Sequence, residues 1–167
     1  DQVENPGVEV AADLLLVGPH RGGTVVGPQD AEALAVIRAR ATALGVKPLM
    51  FDKDWHVMPH VKGGSFRYTD SRTELELPTP SLPGEHQLLN AGIAIALARA
   101  QNAVSIPDAA IRAGLGWVRW PARLQELVGT PLNGFLPDGA TLYLDGGHNP
   151  AAGQVIRRFL SSVDPVE

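Results

Sequence analysis

Apolar residues recur at helical spacing most clearly after Asp30, where Ala31, Leu34, Ile37, Ala41 and Leu44 follow one another along DAEALAVIRARATALG. Asp30 is a good N-cap, because its carboxylate can accept the orphan N–H groups of a first turn. Gly45 stands just past the last apolar position, where a glycine ends a helix. Thr24–Val26 before this helix and Val46–Phe51 after it read as buried strands, and Leu14–Val17 is a further candidate. Strand, helix, strand is the order of a βαβ unit, in which the crossover lets two strands pair in parallel. The first dozen residues have weak periodicity and predict a loose lead-in.

The period then shortens to two. Ser65–Thr69 and Thr73–Leu77 alternate around a turn-like Asp70-Ser71-Arg72, which predicts a hairpin with Phe66, Tyr68, Leu75 and Leu77 on one face. Pro78, Pro80 and Pro83 stop regular structure. Glu85 to about Ala100 predicts a helix, and a second helix starts with Pro107 and runs to about Leu115. Pro121 cannot continue that helix and restricts Trp120 before it, so a domain boundary falls there, dividing residues 1–120 from 121–167. Beyond it come a strand at Thr141–Leu144, a tight loop at Asp145–Asn149 and a helix from Pro150 to about Ser161. No internal repeat or low-complexity segment is visible.

Composition narrows the class. With 167 residues, 44% hydrophobic and 19% charged, the chain suits one globular core, or one core and the start of another. A net charge of −4 argues against a general nucleic-acid binder, which needs a basic face. The absence of cysteine excludes disulfides, thiolate catalysis and Cys-based zinc sites. No apolar run is long enough to span a bilayer and no signal peptide opens the chain, so a cytoplasmic protein without membrane contact is expected. The opening residue, Asp1, reads as the start of a piece of a longer protein.

Three clusters could carry chemistry. In Tyr143-Leu144-Asp145-Gly146-Gly147-His148-Asn149-Pro150 a strand delivers an acid at its carboxyl end, glycines permit a sharp turn and a proline opens a helix. Ligands of open α/β sheets bind at such strand ends, and helix N-termini favour anions. Asp145 could accept hydrogen bonds from ribose hydroxyls and His148 could meet a phosphate; equally, the stretch could be only a turn with a surface histidine. In Gly84-Glu85-His86-Gln87-Leu88-Leu89-Asn90, His86 and Asn90 share a helical face and Asn90 suits a purine edge, although all three polar residues are also ordinary at a helix start. In Trp120-Pro121-Ala122-Arg123-Leu124-Gln125, Arg123 could reach a phosphate across a cleft, or form a surface ion pair. His56 and His60 are separated by Pro59 and lack a third ligand, so no metal site is assigned. His20-Arg21-Gly22-Gly23 lacks the GxxxxGK[ST] pattern of a phosphate loop, and that pattern occurs nowhere in the chain.

In this order, the clusters resemble the folylpolyglutamate/dihydrofolate synthases of the Mur ligase superfamily. Thr24-Val25-Val26-Gly27-Pro28-Gln29 matches a PVVxGPQ-like stretch, and Gly84, His86, Gln87, Asn90, Ala91 and Ala94 match GxHQxxNAxxA. Trp120–Gln125 matches WPGRxQ, and Leu144–Pro150 matches LDGAHNP. The similarity covers about residues 24 to 160. It implies an α/β fold: the remainder of a Mur-ligase-like central ATPase domain, followed by the start of a Rossmann-like C-terminal domain.

The resemblance also implies ATP-dependent ligation of L-glutamate to a folate or dihydropteroate carboxylate through an acyl phosphate. Asn90 would contact the adenine, Asp145 the ribose, Arg123 the ATP phosphates and His148 the phosphoryl region, while His86 shapes the pocket. Arg123 and His148 would be the catalytic pair. Mg2+ would be held by residues upstream of this chain, and the parent would be a monomer. A peptidoglycan-precursor ligase and a non-catalytic nucleotide-binding module are the alternatives. Two departures stand out. The lysine of an AEKAGI-like segment is missing from Ala12–Val17, and Ala122 and Gly147 stand where the family usually has Gly and Ala, swaps expected to matter little. Lacking a phosphate loop, the chain alone is expected to hydrolyse no ATP.

Overall fold

The computed structural model describes residues 24–163. The Leu14–Val17 strand, the lysine-free Ala12–Val17 segment and the His20–Gly23 turn lie outside the described residues.

Strand β1 (Val25–Val26) pairs in parallel with β2 (Leu49–Met50), Val25 opposite Leu49 and Val26 opposite Met50. Helix α1 (Ala31–Ala43) is the crossover. Asp30 caps it as expected, its Oδ1 accepting from the Ala33 N–H at 2.8 Å. Gly45, at φ +65°, ends it: Gly45 N donates to Thr42 O and Val46 N to Ala41 O, the paired closure of a Schellman turn. Strand β2 is shorter than Val46–Phe51 because that closure uses the Val46 N–H and Pro48 has none to offer a ladder.

Strands β3 (Trp55–Pro59), β4 (Ser65–Asp70) and β5 (Glu74–Pro78) form an antiparallel sheet in that order. The hairpin falls where alternation predicts it, with Phe66 opposite Leu77, Tyr68 opposite Leu75, and all four buried. Asp70 closes its turn by accepting from Arg72 N and Thr73 N. Strand β3 was not foreseen. It brings Trp55 into the core at 0% exposure, edge-on to Phe51 with ring centroids 5.0 Å apart.

Helix α2 (His86–Ala100) packs on this core through Ala91, Ile95 and Ala96. Gly92 makes the close approach possible: a Cβ there would lie 2.5 Å from Val57 Cγ1 and 2.7 Å from Trp55 Cζ3. Helix α3 (Asp108–Trp117) adds Ile111 and Leu115, with Pro107 just before its first turn and its end two residues past Leu115. Arg99 ties the three elements, bonding Asp70 on β4 and Asp108 on α3, each at 3.1 Å.

After α3 the chain turns through Trp120–Leu124 into β6 (Gln125–Glu126), a strand absent from the sequence reading, which pairs antiparallel with β7 (Tyr143–Leu144). Helix α4 (Pro150–Leu160) follows, capped by Asn149 Oδ1 on the Ala152 N–H at 2.9 Å, and Phe159 meets Tyr143 edge-on. Among the described residues, no helix is long and apolar enough to cross a membrane.

Candidate functional site

Helices α2 and α3 border a cavity of about 570 Å³, walled by Ala91, Ala94, Ile95, Ala98, Ile106 and Ile111. Its polar fittings come from two places: Gln87 and Asn90 on the first turns of α2, and Trp120 and Arg123 on the loop after α3. A largely apolar hollow with a few fixed polar groups is the usual form of a small-molecule site. Asn90 and Arg123, far apart in sequence, thus line one cavity. His86, Asp145 and His148 do not line this cavity.

His86 reaches the cavity only through Gln87, whose Nε2 donates to His86 Nε2 at 2.9 Å; Gln87 Oε1 in turn accepts from Asn90 Nδ2 at 3.0 Å. Gly84, at φ +100°, makes room for the ring, since a Cβ there would stand 2.6 Å from His86 Cε1 and 3.1 Å from Leu124 Cδ1. Burial holds the His86 pKa below its ordinary value; Asp145 opposes this, and Arg123 and Arg158 reinforce it. With its folded pKa depressed, His86 contributes stability that is fully present above its unfolded pKa and lost as pH falls through the folded value. The wild type should therefore lose more urea resistance between pH 7.5 and 5.5 than His86→Gln, and equal losses would contradict this.

Asp145 is half-buried, and each of its oxygens already holds a backbone N–H. Oδ2 accepts from Leu124 N at 2.8 Å and Oδ1 from Gly147 N at 2.7 Å. Gly146 N donates to Ala122 O at 2.9 Å, so the DGG turn and the Arg123 loop are laced together. Each carboxylate oxygen keeps lone-pair capacity for a second donor. Arg123 is exposed, with Nη1 on Ala122 O at 3.2 Å and against Gly146. His148 is exposed too; its Nδ1 donates to Gly146 O at 3.0 Å, which leaves Nε2 facing outward.

The loop is strained. Ala122 (φ +55°) and Leu124 (φ +47°) both lie in the left-handed region, and Leu124 is held there by the Asp145 bond and by burial. The expectation that Ala122 and Gly147 are indifferent swaps is corrected here. Ala122 stands at a conformation that favours glycine, and a Cβ at Gly147 would fall 2.7 Å from Ala152 Cβ and 2.8 Å from Asp145 Oδ1. Ala122→Gly should stabilise the protein by about 1 kcal/mol, a melting point rise of roughly 2–4 °C. A fall in melting temperature would show that the strain is not real.

Among the described residues no three His, Asp or Glu side chains gather as a metal site requires. The sequence reading missed Gln87 as the link between His86 and Asn90, Gln125 as the acceptor of the Ala122 N–H (3.0 Å) and Asn149 as the helix cap. The cap was legible, since Asn before Pro at a helix start is a local signal. The two glutamine contacts depend on packing.

No protein-family model matches the chain. It is 34% identical over 153 residues to folylpolyglutamate synthase of Lacticaseibacillus casei, covering 82% of this chain and 33% of that protein. Its fold superposes on the crystal structure of folylpolyglutamate synthase from Thermotoga maritima with a TM-score of 0.69 at 27% identity, covering 92% of this chain and 35% of that one. A folylpolyglutamate synthase in complex with AMPPCP and folate gives a TM-score of 0.66 at 30% identity, covering 83% and 33%. Fold and neighbours place the chain among the Mur-ligase-like α/β proteins. Within that class it is homologous, over most of its length, to the folylpolyglutamate synthases. The chain spans about a third of the length of the L. casei protein.

Proposed function

We propose that this chain supplies the adenosine side of the ATP site of a ligase that joins L-glutamate to a folate or dihydropteroate carboxylate. The observation that carries the reading is the meeting of Asn90 and Arg123 in one cavity, with Asp145 laced to the Arg123 loop. The relative solved with AMPPCP and folate supports an ATP-using reaction on a folate. In this reading the purine enters between α2 and α3 against Asn90, and Asp145 offers its remaining lone pairs to the ribose. Arg123, fixed by the strained loop, faces the phosphates, and the outward Nε2 of His148 meets the phosphoryl region.

The chemistry asks little covalent work of the protein. The folate carboxylate attacks the γ-phosphorus and displaces ADP; the glutamate amine then attacks the acyl phosphate and expels phosphate. Arg123 would set its positive charge where the phosphoryl oxygens accumulate negative charge. Residues from 121 onward begin a second domain in this reading. Its closure would shield the acyl phosphate from water.

Isotope transfer tests the proposal. In an active enzyme preparation containing this chain, folate labelled with ¹⁸O in its reacting carboxylate should pass one label to the phosphate released with glutamate. Phosphate free of label would rule out the acyl phosphate.

A further inference from the structure

Among the described residues, Gln87 is the only side chain in the candidate site that is both polar and almost fully buried, at 4% exposure. It occupies the second position of α2 and borders the cavity, yet it offers its amide to its neighbours. Its nitrogen can only donate, so in this arrangement His86 Nε2 is the acceptor. Its carbonyl then receives the Asn90 Nδ2. The order runs outward without a break: the ring lone pair orients the Gln87 amide, and the Gln87 carbonyl orients the Asn90 amide. Asn90 itself is exposed on the cavity wall, with Nδ2 drawn toward Gln87 and Oδ1 left for a ligand.

We propose that Gln87 is a positioning residue that determines nucleobase specificity, fixing the Asn90 amide so that the cavity takes adenine and rejects guanine. The inference rests on the adenosine-site reading above. Adenine presents a donor at N6 beside an acceptor at N1 or N7, whereas guanine presents an acceptor at O6 beside the N1–H donor. A terminal amide turns readily through 180° about its last torsion, exchanging its donor and acceptor, so an unrestrained asparagine can serve either base. An asparagine whose nitrogen is tied to Gln87 Oε1 cannot exchange them without breaking that bond. Guanine would then set its O6 against the Asn90 Oδ1, two acceptors facing each other in a hollow with apolar walls.

Calorimetric titration of the 167-residue chain with ATP and with GTP tests this, using wild type, Gln87→Met and Gln87→Glu. Methionine keeps the bulk and removes both hydrogen bonds. Glutamate keeps the acceptor for Asn90 Nδ2, and its second oxygen can be met by a protonated His86. Wild type should favour ATP; Gln87→Met should shrink the ATP-to-GTP ratio about tenfold; Gln87→Glu should restore most of it. A purely structural role would weaken both nucleotides alike and leave the ratio unchanged, and that result overturns the inference while the nucleotide site stands. Wild type binding neither nucleotide overturns the site and the inference together. Should Gln87→Met not fold, the wild-type Asn90 side-chain amide signals in ¹⁵N–¹H spectra decide. They should shift on adding ADP and not GDP, and equal shifts would refute the proposal.

Discussion

Replacing Trp55 with alanine is expected to lower the unfolding free energy by about 3–5 kcal/mol, the range for emptying a buried aromatic site. The indole is fully buried at the start of β3, edge-on to Phe51 and in contact with α2 where Gly92 leaves no side chain between helix and sheet. Helix and sheet meet over this ring, so its loss opens a void that neither can fill without moving. Domains of this size are typically stable by about 5–15 kcal/mol, so the variant should unfold at a urea concentration lower by roughly 2 M. Trp55→Phe should be far milder. It keeps the aromatic contact and removes Nε1, a buried donor with no hydrogen-bond partner among the described residues. Similar losses for the two variants would contradict this picture of the core. The effect reaches the site, because the first two turns of α2 carry His86, Gln87 and Asn90.

Asp145→Ala is the second large change expected. The carboxylate anchors Leu124 N and Gly147 N, and Leu124 sits at a φ of +47° next to Arg123. Removing it strands both N–H groups and releases a strained loop, a loss of about 1–3 kcal/mol for a half-buried group. Nucleotide affinity should fall at least about tenfold, since the ribose acceptor and the Arg123 support go together. Asp145→Asn keeps one acceptor and should recover part of the stability and less of the affinity. Melting temperature and ATP affinity, measured on the same preparations, separate the two roles. An Asp145→Ala protein with unchanged affinity would remove Asp145 from the site.

The parts of the fold that rest on local signals were legible beforehand. Asp30 and Gly45 mark both ends of α1, and the alternation of Phe66, Tyr68, Leu75 and Leu77 fixes the hairpin face. Strand β3 escaped because Trp55–Pro59 contains a proline and follows a charged turn; it is a strand only because β4 offers it a partner. Strand β6 escaped for the same reason, since its register, Gln125 opposite Leu144, joins distant stretches. The five site residues were named from local chemistry and motif wording, yet neither could distribute them. Asn90 and Arg123 enter one cavity, His86 acts on it through Gln87, Asp145 braces the loop, and His148 points outward. Ala122 and Gly147 read as harmless on size alone; their backbone geometry gives them consequences.

The hollow between α2, α3 and the Arg123 loop is expected to hold adenosine, and ¹⁵N–¹H spectra of the chain titrated with ATP report where it binds. Shifts should concentrate at Gln87, Asn90, Arg123 and Gly146–His148, with Lys53 and Thr69–Arg72, which line a separate pocket, unmoved. Shifts centred on Lys53 and Thr69–Arg72, or none at millimolar ATP, would show that adenosine does not bind between α2 and α3.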